Sequence, residues 1–334
     1  MLEQQERLWD YDAVEPGQAG KPTTVLITPE NIGAYALVAQ NPNSRYQDAS
    51  ANVEYGGSLV AMPTMALTYA PLLRDEIAAN SGFVALEDSK TARRQTPFAK
   101  CEIRWLRPVY AGDTITGSRS VLEKYERRGS KFVTFRVEAT NQRAEKVAEY
   151  DYTCIFEYTK GQRTVPQDQG TAKPEALDVR AIPDTDTPHR LLSFGSLQVG
   201  QELQSLDISE SDEIILRKND LRLAGKVVTS NIHTDEEFAR KNIFGGAVNS
   251  GPATLSYVDQ MLELSFPLKA FLNGGKLLMR AITPFRAGDT VTFMGEVTDR
   301  RDTEGQKIVE CKVKGTNQRG HLVCLSDATL VLPE

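Results

Sequence analysis

Two stretches of the sequence decide the fold: PVYAGDTITGSRSVLEKYERRGSKFVTFRVEATNQRAEKV at residues 108–147, and PFRAGDTVTFMGEVTDRRDTEGQKIVECKVKGTNQRGHLV at residues 284–323. A shift of 176 positions aligns them without a gap, and sixteen of the forty aligned positions are identical. Composition alone would give about two or three identities, so the chain contains an internal duplication. The sequence therefore predicts two copies of one fold.

Apolar and polar residues alternate within each copy. In the first, Val133, Phe135 and Val137 are separated by single polar residues, and the second copy repeats this pattern. A period of two predicts strands that bury one face. Between apolar runs lies the sequence Ala-Gly-Asp-Thr, at 111–114 and again at 287–290, where glycine and aspartate favour a tight turn. Each copy is therefore predicted to form an antiparallel sheet.

Helical signals precede each predicted sheet. The segments at residues 28–31 and 209–212 resemble capped helix starts, each with a Ser or Thr at the capping position. Residues 58–80 and 251–266 follow them and are rich in Ala, Leu, Met and Tyr, with few charges. A helix that is apolar on most sides is a buried helix. We therefore expect one buried central helix in each copy.

The length supports the same division. With 334 residues, the chain is too long for one compact β-rich module and suits two modules of about 150 residues each. Between the copies, residues 161–190 carry four prolines among polar residues, which is typical of a linker. We predict a first domain over 1–160 and a second over 191–334.

Composition narrows the possible functions. The chain has 39 basic and 45 acidic residues, a net charge of −6 that disfavours nucleic acid as a partner. No apolar run is long enough to span a membrane and the N-terminus is charged, so we expect no membrane partner and a cytoplasmic location. Four cysteines without C-x-x-C spacing and three histidines without H-E-x-x-H indicate neither a disulfide framework nor a metal site. G-x-S-x-G and G-x-G-x-x-G are also absent.

The sharpest local motif is NIHTDEEFAR at residues 231–240, followed by FGGAVNSG at residues 244–251. This pair resembles the hydratase motif of the MaoC-like hydratase/dehydratase family, whose hotdog fold wraps a sheet around one long helix. Residues 193–333 resemble one such module, and residues 24–158 resemble a diverged one. The resemblance implies an α+β double hotdog, with two tandem modules that each wrap an antiparallel sheet around a central helix.

The same resemblance implies a chemistry. Members of this family add or remove water at C2–C3 of an enoyl or 3-hydroxyacyl thioester. Position by position, His233 matches the catalytic acid/base and Gly251 the backbone donor to the thioester oxygen, since fixed donors at a helix N-terminus stabilise developing negative charge. Asn231 is expected to help hold the water. Four further residues complete the predicted site as substrate-binding residues: Asp235, which we also expect to shape the loop, Asn249, Ser250 and Val228.

The motif departs from the family pattern at one catalytic position. The aspartate five residues before the histidine is replaced by Val228, and the usual Asn-Pro is replaced by Ser230-Asn231. Asp220 is a candidate substitute if the intervening loop folds back. The first copy keeps none of the catalytic groups, because other residues stand at the aspartate, histidine and glycine positions: Ala39, Ser44 and Met62. That copy is expected to form the wall of a substrate tunnel and to hold the pantetheine arm.

Alternatives remain open at this point. The altered motif also fits an acyl-thioester hydrolase, a non-catalytic thioester-binding subunit, or a specialised lyase or cyclase acting on a branched or dicarboxylic acyl chain. The thioester is expected on coenzyme A or an acyl carrier protein, with no metal or redox cofactor, and the chain is expected to form a homodimer. Three basic pairs are candidates for phosphate contacts: Arg93-Arg94, Arg127-Arg128 and Arg300-Arg301.

Overall fold

The structure is a computed structural model that describes residues 6–159 and 191–333, so the predicted linker lies outside the described residues. The described part contains strands β1–β12 at Leu8–Trp9, Thr23–Leu26, Val84–Ala85, Phe98–Trp105, Thr114–Arg127, Ser130–Thr140, Lys146–Glu157, Leu206–Ser209, Lys276–Ala281, Thr290–Thr303, Gln306–Asn317 and Leu322–Leu332. Its helices α1–α7 span Pro29–Val38, Ala66–Tyr69, Arg74–Asn80, Asp212–Asp220, Glu236–Arg240, Gly251–Glu263 and Lys269–Leu272.

Ten of these strands form one continuous sheet in the order β2-β5-β6-β7-β4-β9-β12-β11-β10-β8. The two halves meet at the antiparallel pair β4–β9, where Ile103 lies opposite Leu277. Read outward from that junction, each half repeats the same strand sequence, and β5 and β10 both contain fourteen residues with starts 176 positions apart. The duplication predicted from sequence is therefore confirmed as a twofold repetition of one antiparallel half-sheet.

The repeated turns are built alike in both halves. A carboxylate oxygen of Asp113 accepts a hydrogen bond from the backbone N–H of Tyr110 at 2.8 Å, and Asp289 accepts the equivalent bond from Arg286 at 3.0 Å. The preceding glycines adopt positive φ, +96° at Gly112 and +85° at Gly288. These are backbone angles that glycine adopts at little cost, which explains why the turn sequence is retained in both copies.

Helix α6 is the central helix predicted for the second half. The Ser250 side chain caps it by accepting a hydrogen bond from the N–H of Ala253 at 3.3 Å, and Pro252 occupies the first turn. Eleven of its thirteen residues are buried. A helix so enclosed is stabilised mainly by the sheet around it rather than by its own propensity.

The first half lacks the continuous helix predicted over 58–80. A short 3₁₀ turn at Pro63–Met65 runs into α2, which ends after one turn, and α3 begins separately. Pro71 disfavours a helical conformation for Ala70, which instead has φ −128° and ψ 71°. Leu73 adopts a positive φ of 45°, which breaks the path a second time. The apolar composition of this segment predicted burial correctly, but the proline interrupts the helix.

Both halves contribute to one hydrophobic core. It includes the aromatic pair Trp105 and Phe271, which lie on opposite sides of the β4–β9 junction with ring centroids 5.9 Å apart. The indole N–H of Trp105 donates to the carbonyl of Pro63 at 2.8 Å. None of the helices in the described ranges combines the length and apolarity needed to cross a membrane. The shared core fixes the two halves against each other and so fixes the space between them.

Candidate active site

A cleft of about 590 Å³ lies between the two halves. The interrupted helix of the first half contributes Leu72 and Leu73 to one wall, and the motif segment of the second half contributes His233, Asn249 and Ser250 to the other. The break after α2 turns the chain out of the helical path, so that the non-helical residues form this wall. The cleft therefore lies between the start of the central helix of the second half and the interrupted segment that replaces this helix in the first half.

Asn231 shapes the loop that carries the histidine. Its side-chain oxygen accepts hydrogen bonds from the backbone N–H groups of His233 at 2.7 Å and Thr234 at 3.1 Å, which closes an Asx turn. Its amide nitrogen donates to Oδ1 of Asn219 on α4 at 2.7 Å. Its second amide hydrogen has no acceptor among the described residues. The loop is thus fixed to α4 through two asparagine side chains.

His233 is held in one tautomer. Its Nδ1 lies 2.8 Å from the backbone oxygen of Val248. Because a carbonyl oxygen can only accept, Nδ1 carries the proton and Nε2 of the neutral ring carries the lone pair. The pKa of His233 is lowered to about 4, mainly by burial and to a smaller extent by the positive charges of Arg222 and Arg74, against the opposing effect of the Val248 hydrogen bond. The ring is therefore neutral at pH 7, with a free base at Nε2.

Gly251 is the first residue of α6, between Ser250 and Pro252, which both line the cleft. No acceptor for its N–H occurs within the described part of the chain, as expected for the first residue of a helix. A Cβ added at this position would lie 2.3 Å from the ring of Phe98, which comes from the first half. Glycine therefore lets the two halves close around a helix N-terminus that carries an unused donor and the positive end of the helix dipole.

Behind the cleft, Glu210 joins several elements in a buried polar cluster. Its Oε1 atom accepts hydrogen bonds from Lys218 at 2.5 Å, from Asn249 at 3.2 Å and from the hydroxyl of Tyr257 on α6. Burial raises the pKa of Glu210 and lowers the pKa of Lys218, and the attraction between the two charges opposes both shifts. The cluster fixes Asn249, and with it the start of α6. No motif in the sequence pointed to Glu210 or Lys218.

The structure brings five of the seven predicted site residues to the cleft: His233, Asn231, Asn249, Ser250 and Val228. Gly251 is flanked by lining residues but does not line the cleft itself. Asp235 lies outside the cleft and caps α5, accepting hydrogen bonds from the N–H of Phe238 at 2.9 Å and from the Ser230 hydroxyl at 2.5 Å. These contacts agree with the loop-shaping role expected for Asp235, and its substrate-binding role stays a prediction.

The missing aspartate has no carboxylate substitute in the cleft. Asp220, the candidate from sequence, is exposed at the end of α4 and does not line the cleft. The cleft-lining carboxylates in the described ranges are all engaged in ion pairs: Glu87 with Arg74 at 2.9 Å, and Asp75 and Asp88 with Lys226 at 3.2 and 2.5 Å. His233 is therefore the cleft group that offers an unengaged lone pair on a nitrogen base.

The equivalent loop of the first half has a different use. Three of its side chains converge on Glu263 near the end of α6: Asn41 donates at 3.4 Å, Tyr46 donates through its hydroxyl at 2.8 Å, and Arg45 forms a buried ion pair. Ser44, at the histidine position, is exposed to solvent. This loop supplies no side chain to the cleft between the halves. It has become a contact that holds the second half's helix.

Among the predicted basic pairs, only Arg93 reaches the cleft. Its guanidinium donates to the backbone oxygen of Ser230 at 2.6 Å and lies 4.2 Å from the ring centre of Phe238. Arg94 faces Glu157 at 3.8 Å, and Arg301 is paired with Asp299 at 2.7 Å. The phosphate role therefore stays a prediction for Arg93, on the rim formed by both halves.

Two family models match the chain, one in each half. Residues 229–318 match the MaoC-like domain, and residues 15–150 match the FAS1-like dehydratase domain region. A curated relative, mesaconyl-CoA hydratase from Cereibacter sphaeroides, is 28% identical over 223 residues, which cover 60% of this chain and 60% of that protein. The matching region thus spans about three fifths of the relative's length.

Solved structures share the fold along nearly the whole chain. A MaoC-like dehydratase covers 95% of this chain and 99% of its own, with a TM-score of 0.68 and 19% identity. A MaoC-domain dehydratase from Chloroflexus aurantiacus covers 99% of both chains, with a TM-score of 0.69 and 14% identity. A double-hotdog protein from Mycobacterium tuberculosis covers 96% of this chain and 98% of its own, with a TM-score of 0.58 and 13% identity. The fold predicted from the motif is confirmed as a double hotdog.

Proposed function

We propose that this chain, whose second half matches the MaoC-like domain over residues 229–318, is a hydro-lyase acting at C2–C3 of an enoyl or 3-hydroxyacyl thioester. The observation that carries this proposal is the neutral imidazole of His233, with its lone pair at Nε2, in the same cleft wall as the residues that flank the N-terminus of α6. A base and an oxyanion donor on one wall are what hydration of an activated double bond requires.

In the hydration direction, Nε2 of His233 accepts a proton from water while the water oxygen forms a bond to C3. The C2–C3 double bond shifts its electron pair toward the thioester carbonyl, whose oxygen becomes enolate-like and accepts a hydrogen bond from the N–H of Gly251. C2 then takes a proton from the imidazolium of His233, which restores the carbonyl and the neutral ring. Dehydration runs through the same steps in reverse. A single oxyanion donor of this kind lowers the activation free energy by about 3–4 kcal/mol.

The replacement of the dyad aspartate by Val228 changes how the water is held. In this proposal the remaining amide hydrogen of Asn231 orients the water oxygen, and His233 alone accepts the proton. Val228 contributes apolar surface to the cleft at the position where the aspartate would stand. An apolar neighbour excludes water from that side and favours the neutral form of the histidine, because burial penalises the charged ring.

The first half has a binding role in this proposal. Its interrupted helix supplies the apolar wall of Leu72 and Leu73, against which an acyl chain and the pantetheine arm would pack. Arg93 lies on the rim, where a phosphate of coenzyme A or of an acyl carrier protein's prosthetic group would reach. Association into a homodimer and the identity of the thioester carrier belong to the proposal, as does any correspondence with mesaconyl-CoA, whose hydratase aligns over about three fifths of its length.

The test is direct. Purified protein is mixed with crotonyl-CoA, and the enoyl absorbance and the free thiol concentration are followed in parallel. We expect absorbance to fall without thiol release, since hydration removes the conjugated double bond and leaves the thioester intact. Thiol release would instead identify a thioester hydrolase. Binding without either change, across a panel of enoyl thioesters, would identify a non-catalytic subunit and overturn the proposal.

A further inference from the structure

The charges that line the cleft do not balance. Three basic residues have carboxylate partners: Arg74 with Glu87 at 2.9 Å, Lys218 with Glu210 at 2.5 Å, and Lys226 with Asp75 and Asp88 at 3.2 and 2.5 Å. Two further cleft residues, Arg93 and Arg222, have no carboxylate within 4.0 Å among residues 6–159 and 191–333. Neither guanidinium therefore forms a direct salt bridge in the described ranges, and Arg222 is attracted to Asp75 and Asp220 only from a longer distance.

Of these two, Arg222 has the greater capacity for a ligand. Its Nε and Nη2 atoms donate to the backbone and side-chain oxygens of Asn219, at 3.0 and 3.4 Å. Three of the five N–H groups of its guanidinium are left without an acceptor in the part of the chain that the structure describes. Arg93, by contrast, uses all three nitrogens, on Ser230 and on the carbonyl of Glu87. The contacts with Asn219 thus hold the guanidinium of Arg222 in place, while its remaining N–H groups are available to a ligand.

Arg222 also lies near the reacting centre rather than at a distant part of the cleft. It contacts Asn219, whose Oδ1 accepts from Asn231 at 2.7 Å, and Asn231 in turn closes the turn that presents His233. Both Arg222 and His233 line the same cleft. The positive charge of Arg222 is close enough to contribute to the lowered pKa of His233. An anion bound by Arg222 would therefore lie in the same cleft as the carbon that His233 hydrates.

We propose that Arg222 binds a carboxylate attached directly to C3 of the acyl chain, so that the cleft selects unsaturated dicarboxylic acyl thioesters. This inference rests on the proposed function and deepens it. A guanidinium binds a carboxylate through two parallel N–H···O bonds, which gives directional as well as electrostatic recognition. A terminal methyl group at the same place would leave the guanidinium without its partner.

Fumaryl-CoA and crotonyl-CoA form a matched substrate pair, because they differ only in a carboxylate against a methyl group on C3. We expect the wild-type protein to hydrate fumaryl-CoA with the larger kcat/KM. The variant Arg222→Gln should reduce the fumaryl-to-crotonyl ratio of kcat/KM by about 10- to 100-fold, the range expected when a site loses a polar partner in a partly exposed cleft. Arg222→Lys should give an intermediate ratio, since it keeps the charge but not the fork.

Arg217 provides the control. Arg217 lies on helix α4, as does Asn219, the residue that Arg222 contacts. Its side chain is exposed and pairs with Glu213 outside the cleft. Arg217→Gln should leave the substrate ratio unchanged. Circular dichroism and thermal unfolding of all variants establish that any change in ratio occurs in a folded protein.

Two results would overturn this inference. One is that Arg222→Gln lowers kcat/KM equally for both CoA thioesters but leaves kcat/KM unchanged for the corresponding N-acetylcysteamine thioesters. Arg222 would then bind a phosphate of coenzyme A instead. If the wild type hydrates crotonyl-CoA and the ratio does not change in Arg222→Gln, the inference fails while the proposed function stands. Hydration of neither ester by the wild type would overturn the proposed function and this inference together.

Discussion

The two halves of this molecule have the same strands in the same order, yet they differ in what the strands enclose. In the second half a thirteen-residue helix is capped, continuous and buried. In the first half the corresponding apolar segment stops after one turn of α2 and resumes only at α3. The sheet is therefore the part of the duplicated fold that has been retained, and the central helix is the part that has diverged.

This difference explains where the cleft lies. A second continuous helix would follow a path through Pro71 and Leu73, which instead leave the helical path and line the cleft. The loop before each helix has diverged in the same way. In the second half it presents His233 to the cleft, and in the first it directs Arg45 and Tyr46 onto Glu263. One half thus carries the candidate chemistry, and the other carries the wall and the support.

The largest expected effect comes from removing the histidine of the second half, compared with removing the side chain at the equivalent position of the first half. His233→Ala should lower kcat/KM for hydration by about 10⁴-fold, the upper end for a general base, because the cleft carboxylates among residues 6–159 and 191–333 are engaged in ion pairs. Ser44→Ala, at the equivalent position of the first half, should change it by less than twofold. Steady-state kinetics with an enoyl-CoA measure both. Similar losses in the two variants would contradict the division of roles between the halves.

The next largest effect concerns the support that the first half gives to α6. Glu263→Ala should lower the free energy of unfolding by about 3 kcal/mol, because it leaves the buried charge of Arg45 with only the longer pair to Glu54 at 3.7 Å and removes the acceptor of the Tyr46 hydroxyl. Glu213→Ala provides the control, since it removes a solvent-exposed ion pair with Arg217 and should have no measurable effect. Urea unfolding monitored by circular dichroism gives both values. A small loss for Glu263→Ala would mean that the two halves hold together without this contact.

A third prediction concerns the close approach of the halves at the start of α6. Gly251→Ala should cost about 1–3 kcal/mol of stability, because the added methyl group would overlap the ring of Phe98. It should also slow hydration, since the donor it carries would shift. Gly195→Ala is the matched control, as nothing lies within 4 Å of its added carbon. Thermal unfolding measures the difference. Equal stability of the two variants would show that the halves do not pack closely at Gly251.

The smallest effect is a pH dependence. With a pKa of about 4, lowered first by burial and then by the charges of Arg222 and Arg74, His233 stays neutral as the pH falls from 7 to 5.5. kcat/KM should therefore change by less than about twofold over that range. An imidazole with an ordinary pKa near 6.5 would lose about eightfold, because its base form would be protonated. A loss of that size in the measured profile would mean that His233 is as solvated as a surface histidine.

The sequence was sufficient for the sheet and for much of the candidate site. Period-two alternation and the repeated turns predicted the strands, because both depend on local backbone and burial preferences. The predicted caps at residues 28–31 and 209–212 are also local, and both are observed, at Thr28 and Ser211. His233 and Asn231 of the motif line the cleft between the halves, and their catalytic roles stay predictions.

What the sequence did not reveal depends on contacts between distant segments. Arg222 and Glu210 belong to no motif, and their positions are set by α4 and by the loops that pack on it. Pro71 is the local signal for the interruption of the first central helix, whereas the helix over 58–80 was predicted from apolar composition alone. Asp235 was grouped with the substrate-binding residues because the family motif contains it, whereas its carboxylate is used to cap α5.

The most direct test of the account is a crystal structure with 3-hydroxybutyryl-CoA, the hydration product of crotonyl-CoA, bound in the cleft. We predict that the 3-hydroxyl oxygen lies within about 3.2 Å of His233 Nε2, the reach of a general base, while the thioester oxygen faces the N–H of Gly251. A product bound with its hydroxyl group far from His233, or beside Ser44 in the first half, would contradict the claim that the second half performs the chemistry.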